Sequence, residues 1–220
     1  MKLVSHFVDW YISFSYEIEP QYTEKKYQYV GVDLGIKTLA TLSTGTTFIN
    51  PKALSKARKK LKKLQNQLIL KQKGSNRYKK QKLRISKLHR RISNIRLDAT
   101  HKATYSICKN HAVIALEDLN TSGMLKNHKL AGAISDANFY EFRRQIEYKV
   151  IRYGGIVVFV DRFYPSTKKC SNCGELKEIS LPERVYVCEK CHHTQDRDLN
   201  AAKNLENYVR MAKPCLDVEG

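Results

Sequence analysis

Apolar and polar residues alternate near the start of the chain, with Trp10, Ile12 and Ile18 among the residues on the apolar face. This period-two pattern predicts a β-strand with one buried face. We see no partner strand ahead of it, and an amphipathic strand cannot bury its face alone. We therefore expect either that it pairs with a later sheet or that it is the remainder of a larger N-terminal domain.

Five further apolar segments predict strands. Gly35 and Gly45 punctuate the first three, which predicts a meander. The fourth and fifth are short apolar runs, typical of buried strands. The predicted strands cover residues 29–33, 37–43, 46–50, 112–117 and 156–160.

Between the third and fourth of these strands the apolar spacing changes to the alternating three and four of a packed helix. Gly74-Ser75-Asn76 breaks the pattern once. We therefore predict an antiparallel helical hairpin whose second helix continues to Ile107. Its inner seam would contain Leu54, Ala57, Leu61, Leu64, Leu68, Ile85, Leu88, Ile92 and Ile95.

Two more helices are predicted in the second half of the chain. The first carries Phe139, Phe142 and Ile146 on one face, and the second begins near Asp198. The stretch 123–132 is expected to be flexible, and residues after Met211 to be frayed.

The composition favours a cytoplasmic globular protein. Its 220 residues allow one core and a small module, and no apolar run is long enough to span a membrane. No signal peptide is visible after Met1, and the cysteines cluster in short motifs that suit a reducing compartment. We therefore expect no membrane partner.

The net charge of +19 is concentrated in one segment. Residues 52–96 contain 18 Lys and Arg and no Asp or Glu, whereas the rest of the chain holds 22 basic and 21 acidic residues. A solvated helix surface would normally alternate Lys with Glu, so this block favours a nucleic-acid partner. The candidate contacts are Lys59, Lys60, Lys62, Lys63, Lys79, Lys80, Arg84, Arg90 and Arg91.

Four cysteines form two Cys-x-x-Cys pairs separated by 14 residues, which is the spacing of a zinc ribbon. Disulfides are disfavoured by the compartment, and a redox motif by the presence of two copies. Four thiolates fill a tetrahedral site, so Zn²⁺ would be structural, with His192 and His193 as bystanders. The predicted ligands are Cys170, Cys173, Cys188 and Cys191.

Three carboxylates suit a metal-ion nuclease. Asp33 and Glu117 close two predicted strands, and Asp198 opens the last helix. Buried acids need a cation, and two-metal phosphodiester hydrolysis uses such a cluster to hold Mg²⁺. Gly31 and Gly35 are expected to leave room beside Asp33 for the polyanion. The competing acids are Asp118, Asp136, Asp161 and Asp196, of which Asp136 is a candidate helix N-cap.

Four motifs stand in a fixed order along the chain. They are Gly31-Val32-Asp33-Leu34-Gly35, Leu116-Glu117-Asp118-Leu119, Cys170-Ser171-x-Cys173-Gly174 and Asp196-Arg197-Asp198-x-Asn200-Ala201-Ala202-x-Asn204. In this order they resemble the C-terminal half of the TnpB (OrfB) proteins of insertion sequences, which are related to type V CRISPR effectors. The resemblance runs from about Tyr29 to Met211. Within the pair of aspartates we favour Asp198, because it directly precedes the Leu-Asn-Ala-Ala run.

The resemblance implies an α/β fold: an RNase H-like (RuvC) domain with an inserted basic helical hairpin and an inserted zinc ribbon. It implies Asp33, Glu117 and Asp198 as catalytic acids, Mg²⁺ as cofactor, DNA as substrate and guide RNA as partner. The expected boundaries are a remnant barrel strand in 1–28, the RuvC-like domain in 29–165 with the hairpin in 52–108, the ribbon in 166–195, a final helix in 196–212 and a tail in 213–220.

Two other functions stay open at this point. Members of the family usually carry a β-barrel and a helical recognition region ahead of the nuclease domain, and only one strand of that barrel is expected here. The chain would then be a truncated nucleic-acid-binding protein with idle acids. A zinc-ribbon regulator is the third possibility, and it would need the acids to be structural.

Overall fold

The computed structural model describes residues 2–6, 9–180 and 182–212. They divide into two compact units, Met1–Glu19 with Pro51–Ala99 and Pro20–Asn50 with Thr100–Gly220. The strands are β1 (Lys2–His6), β2 (Asp9–Ser13), β3 (Tyr27–Leu34), β4 (Thr38–Leu42), β5 (Thr47–Ile49), β6 (His111–Glu117), β7 (Ile156–Val160), β8 (Val185–Val187) and β9 (Thr194–Asp196). The helices are α1 (Ala53–Ile69), α2 (Asn76–Asn110), α3 (Thr121–Leu125), α4 (Ala131–Ala137), α5 (Phe139–Arg152) and α6 (Arg197–Met211).

The N-terminal strand differs from its prediction. β2 ends at Ser13, and it does have a partner ahead of it, because β1 pairs with it as an antiparallel hairpin from Lys2↔Ser13 to His6↔Asp9. The alternation beyond Ser13 does not mark a buried face, since Phe14 and Tyr16 are 64% and 77% exposed. Periodicity alone could not detect that this segment lacks a surface to cover.

The helical hairpin is present as α1 and α2, which are joined by the loop at Leu70–Ser75. Leu61 and Ile92 are buried at its seam, whereas Ile95, predicted to belong there, is 41% exposed. The sequence pattern missed Gln81, whose buried amide donates to the Leu64 carbonyl at 2.9 Å and to Gln67 Oε1 at 3.1 Å. A polar side chain thus links the two helices where a hydrophobic seam was expected.

The second unit is built on a mixed five-stranded sheet with the order β5-β4-β3-β6-β7. The first three strands in sequence form the predicted antiparallel meander, whereas β3, β6 and β7 run parallel. The parallel connection between β3 and β6 passes through α2, and that between β6 and β7 through α5. These three parallel strands end at the same edge of the sheet.

Helices cover both faces of this sheet. On one face Val32 and Leu116 pack against Ile107 of α2 and Phe142 of α5. On the other face Val113 and Ala115 pack against Leu205 and Val209 of α6. Because side chains alternate between the faces along each strand, every second residue of β3 and β6 points toward α6.

The stretch 123–132, predicted to be flexible, contains the end of α3 and the beginning of α4. Ile134, Ala137 and Phe139 form a small core there, with Leu119 and Met124 packed against it. Asp136 is not an N-cap, since it lies buried within α4. The residue between α4 and α5 is instead Asn138, in a left-handed conformation with φ 59°.

Within the described part of the chain, no helix combines the length and apolar character of a membrane span.

Gly31 permits the closest contact between helix and sheet. A Cβ atom there would lie 1.9 Å from the Ala202 carbonyl oxygen and 2.6 Å from the Glu206 amide nitrogen, so the backbone of α6 rests directly on β3. The expectation that this glycine makes room for a polyanion is therefore replaced by a packing role. Only a residue without a side chain fits between these two backbones.

We predict that Gly31→Ala destabilises the protein by about 1–3 kcal/mol or more, because α6 or β3 must move to accept the methyl group. Gly132→Ala is the matched control, since a Cβ at this helical position meets no atom within 4 Å. The control should leave stability unchanged or raise it by about 0.5–1 kcal/mol. Urea unfolding followed by circular dichroism measures both variants, and equal midpoints would contradict the packing role.

Candidate active site and metal module

The parallel pairing of β3 with β6 brings two of the predicted acids together. Val32 pairs with Leu116, so the next residues along the two strands, Asp33 and Glu117, are neighbours at the carboxyl edge of the sheet. Asp33 follows Gly31 by two residues and Glu117 follows Ala115 by two. Both carboxylates therefore point to the face that α6 covers.

The contact at Gly31 places the third acid. Asp198 precedes Ala202 by one helical turn, about 6 Å, and Asp33 follows Gly31 by two strand residues, about 6.7 Å. The helix and the strand run in opposite directions, as Arg210 lies over the Tyr29 ring at 4.9 Å on the other side of this contact. Asp198 is thus carried toward Asp33, and all three predicted acids meet at one edge of the sheet.

Asp196 and Asp198 have different positions. Asp196 is exposed, and its Oδ1 accepts hydrogen bonds from the backbone amides of Asp198 and Leu199, each at 3.0 Å. It is therefore the N-cap of α6. Asp198 is only partly exposed, and its charge raises the pKa of Asp33 more than that of Asp196 does.

Arg197 is a residue of this site that the motif did not single out. Its Nη2 and Nε donate to Asp198 Oδ1 at 3.2 and 3.3 Å, and its Nη1 donates to the Glu183 carbonyl at 2.9 Å. Its side chain is 14% exposed. The sequence did contain a signal for this role. Arg197 stands between Asp196 and Asp198, and two neighbouring negative charges favour a cation between them.

The surroundings of Asp33 and Glu117 disfavour the ionised form of both carboxyl groups. Burial raises the pKa of Asp33 well above its ordinary value, and the charges of Asp198 and Glu117 raise it further, while Arg197 lowers it. Burial also raises the pKa of Glu117, with a contribution from Asp118. Such a site favours a bound cation, which would compensate the charges of Asp33 and Glu117. Oxygen donors of this kind suit Mg²⁺.

The other candidate acids are occupied elsewhere. Asp118 forms ion pairs with Arg162 and Arg143, which lower its pKa, and Arg143 also lies 4.0 Å from the centre of the Phe159 ring. Asp161 accepts a hydrogen bond from the Phe163 amide at 2.7 Å. These contacts give both residues structural roles beside the acid cluster.

The four predicted zinc ligands come together in space. Their sulfur atoms all lie within 4.8 Å of one another, with 3.5 Å between Cys173 and Cys188 and 3.7 Å between Cys170 and Cys191. Tetrahedral Zn²⁺ with sulfur at about 2.3 Å requires separations of about 3.8 Å, so the thiols fit the metal. The three carboxylates are more widely spaced than this group.

Each cysteine pair closes a tight turn. The residue after the second cysteine has a positive φ in both turns, 78° at Gly174 and 56° at His192. His192 thus holds the backbone position that glycine holds in the first turn, and neither His192 nor His193 belongs to the thiol group. Asn172 and the His193 amide lower the pKa of the Cys191 thiol to about 6, which favours a metal-binding thiolate.

The predicted nucleic-acid contacts are solvent-exposed. All nine Lys and Arg side chains proposed for this role lie on exposed positions of α1 and α2. The acids that would neutralise them are absent from the 52–96 sequence. The first unit therefore presents a strongly cationic surface.

A family model described as probable transposase, OrfB of IS605 elements, matches residues 13–128, and a second, the Cas12f1-like TNB domain, matches residues 139–205. The first covers more than half of the chain, including Asp33 and Glu117. The chain belongs to the OrfB (TnpB) family.

Curated relatives support this membership. A protein of Streptomyces pristinaespiralis named "Putative RNA-guided DNA endonuclease" is 40% identical over 189 residues, covering 86% of this chain and 47% of the relative. InsQ of Escherichia coli K12, named in the same way, is 40% identical over 215 residues, covering 89% of this chain and 53% of the relative. The chain thus spans about half the length of these OrfB relatives.

The fold is similar to that of a solved Cas12f1 chain. The Cas12f1 chain in a cryo-EM complex with sgRNA and target DNA matches with a TM-score of 0.58 and 19% identity, covering 81% of this chain and 49% of that chain. At this identity the likeness concerns the fold. The mixed sheet flanked by helices is therefore shared with Cas12f1.

We predict that Asp33→Asn stabilises the metal-free protein at neutral pH. A raised pKa means that the folded state keeps the proton after the unfolded chain has lost it, so wild-type stability falls as pH rises from about 4 through the folded pKa. The asparagine variant lacks this penalty. Its advantage in melting temperature, measured in chelator, should be small near pH 4 and grow toward pH 7.

Asp196→Asn is the control for this experiment, since asparagine caps helices as well as aspartate does. Its melting temperature should follow that of the wild type across the same range. A difference in melting temperature between the wild type and Asp33→Asn that stays constant with pH would contradict the raised pKa assigned to Asp33.

Proposed function

We propose that this OrfB-family chain carries the catalytic site of a transposon-associated DNA endonuclease. The observation that supports this most is the convergence of Asp33, Glu117 and Asp198 at one sheet edge, where burial and the two other acids raise the pKa of Asp33 and a cation would compensate its charge. Relatives named as RNA-guided DNA endonucleases support DNA as the substrate. The named activity belongs to proteins about twice as long.

The three carboxylates would hold Mg²⁺, which would activate water and stabilise the leaving oxygen of a phosphodiester. Asp33 is the central ligand, since it lies deepest and is influenced by both other acids. Arg197 holds Asp198 in orientation through its guanidinium. Asp196 fixes the first turn of α6 and has no direct part in the chemistry.

The domain assignment follows the same proposal. Residues 29–165 and the helix in 196–212 form an RNase H-like (RuvC) domain, interrupted by the basic hairpin in 52–108 and by a zinc ribbon in 166–195. Support comes from the sheet order, in which acids from the first strand, a parallel neighbour and a packed helix share one edge. The four clustered thiols support structural Zn²⁺ in the ribbon.

The cationic hairpin is proposed to bind nucleic acid, either the DNA substrate or a guide RNA. Neutralising phosphates with Lys and Arg releases counterions, so binding of this kind weakens steeply with salt. The unbalanced charge of 52–96 supports this role. If the acids were idle, the hairpin would still make the chain a nucleic-acid-binding protein, which is the second candidate function.

We predict that the purified chain cleaves single-stranded DNA in Mg²⁺ or Mn²⁺ and that Asp33→Asn lowers the rate by more than about 100-fold. Loss of a residue that hydrogen-bonds a metal ligand lowers metal affinity or activity by about 10–100-fold, and the loss of a ligand itself should lower the rate further. Asp196→Asn should retain most of the activity. Gel electrophoresis of a labelled oligonucleotide measures the products.

Equal cleavage by wild type and Asp33→Asn would refute the proposed site, because the products would then come from elsewhere. Salt-sensitive binding without products from the wild type would favour the second candidate function.

We also predict that Lys59→Gln with Lys60→Gln weakens oligonucleotide binding several-fold and reduces the slope of log affinity against log salt by about 1–2. Lys126→Gln with Lys129→Gln removes the same charge from exposed positions outside the hairpin. This control should change both quantities less. Fluorescence anisotropy in Ca²⁺ at several salt concentrations measures both, and identical slopes for the two variants would assign the effect to net charge alone.

A further inference from the structure

The first turn of the thiol module is hydrogen-bonded to α6 on both sides of Cys170. Asn200 and Asn204 donate from Nδ2 to the carbonyl of Lys169 at 2.7 and 2.6 Å, and Asn200 Oδ1 accepts from the Ser171 amide at 2.9 Å. Both asparagines are fully buried, with 0% and 1% exposure. Their i,i+4 spacing puts them on one face of the helix.

Further bonds extend the attachment to both halves of the module. Asn204 also donates to the Ser166 carbonyl at 2.8 Å, ahead of the first cysteine pair. At the start of the helix the Arg197 amide donates to the Arg184 carbonyl at 2.8 Å, just ahead of β8. The helix that carries Asp198 is thus fixed to the segments that lead into both cysteine pairs.

These contacts make the position of the module and that of α6 interdependent. A buried amide that loses its partners costs about 1–3 kcal/mol, so the segment 166–171 cannot move from the helix without a large penalty. Two pairs of the four sulfur atoms lie at separations of 3.5 and 3.7 Å that suit tetrahedral Zn²⁺, so binding or loss of the metal acts directly on the arrangement of the module. A change at the cysteines therefore reaches α6 through Asn200 and Asn204, and Asp198 lies two residues before the first of them.

We propose that Asn200 and Asn204 are positioning residues that couple metal binding at the four cysteines to the placement of Asp198 beside Asp33 and Glu117. The coupling rests on the proposed function, in which those acids bind a divalent cation. Because linkage is reciprocal, Zn²⁺ at the cysteines strengthens cation binding at the acids, and a cation at the acids strengthens Zn²⁺ binding by the same factor. We expect the tighter binding to be measurable as slower loss of Zn²⁺.

The test uses the full chain loaded with Zn²⁺ and two measurements. Mn²⁺ affinity is obtained from the electron paramagnetic resonance signal of free Mn²⁺, with Asp33→Asn as the blank, and zinc loss is followed with a chromophoric chelator. Asn204→Leu removes two donors while keeping a similar volume. It should lower Mn²⁺ affinity about fivefold or more and speed zinc loss.

Asn207→Leu is the matched control on the same helix. Asn207 makes a longer hydrogen bond, 3.3 Å to the Ser171 carbonyl, and is only half-buried. Both quantities should change less in this variant than in Asn204→Leu. Faster zinc loss from Asn204→Leu with unchanged Mn²⁺ affinity would overturn the coupling while leaving the acid site intact.

A wild-type experiment covers the case in which Asn204→Leu does not fold. Zinc loss is measured with and without saturating Mg²⁺, and Mg²⁺ should slow it about fivefold or more in the wild type and not in Asp33→Asn. No effect in the wild type, despite Mn²⁺ binding that Asp33→Asn abolishes, would overturn the coupling alone. Failure of the wild type to bind Mn²⁺ would instead overturn the proposed function.

Discussion

The direct contact of the α6 backbone with β3 at Gly31 is the constraint on which the rest of the site depends. A helix normally stands off a sheet by the length of its side chains, but here Ala202 and Gly31 remove that spacing. The first turn of the helix is thereby brought down to the ends of the strands. This approach brings Asp198 close enough to Asp33 to raise its pKa, and the parallel register of β3 and β6 adds Glu117.

Side chains alternate between the two faces of the sheet, and this gives the neighbouring acids Glu117 and Asp118 different surroundings. Glu117 points toward α6, and burial raises its pKa, with a contribution from the charge of Asp118. Its neighbour Asp118 is bound by Arg143 and Arg162, and its pKa is lowered. A step of one residue along the chain therefore separates an acid whose charge is disfavoured by burial from an acid whose charge is compensated by two arginines.

The sequence was sufficient to predict five strands, the helical hairpin, the clustering of the four thiols and the meeting of the three acids, since these follow from periodicity, spacing and motif order. It could not predict the role of Gly31, because the reason lies in a residue of α6 that is remote along the chain. Gln81 was missed for a similar reason: its partners belong to the other helix. α3 and α4 were missed because they are short and are stabilised by a small core that includes Leu119 and Phe139.

The motif Asp196–Asn204 combines these constraints in two turns of one helix. Asp196 caps the helix, Asp198 enters the acid cluster, and the small residues Ala201 and Ala202 are fully buried, Ala202 at the contact with β3. Asn200 and Asn204 face the thiol module instead. An amide is required at these two positions, since neither a carboxylate nor an aliphatic side chain can donate to the carbonyls of Ser166 and Lys169. α6 thus contributes to two sites. The acid cluster and the contact with β3 restrict the residues on one face of the helix, and the thiol module restricts those on another.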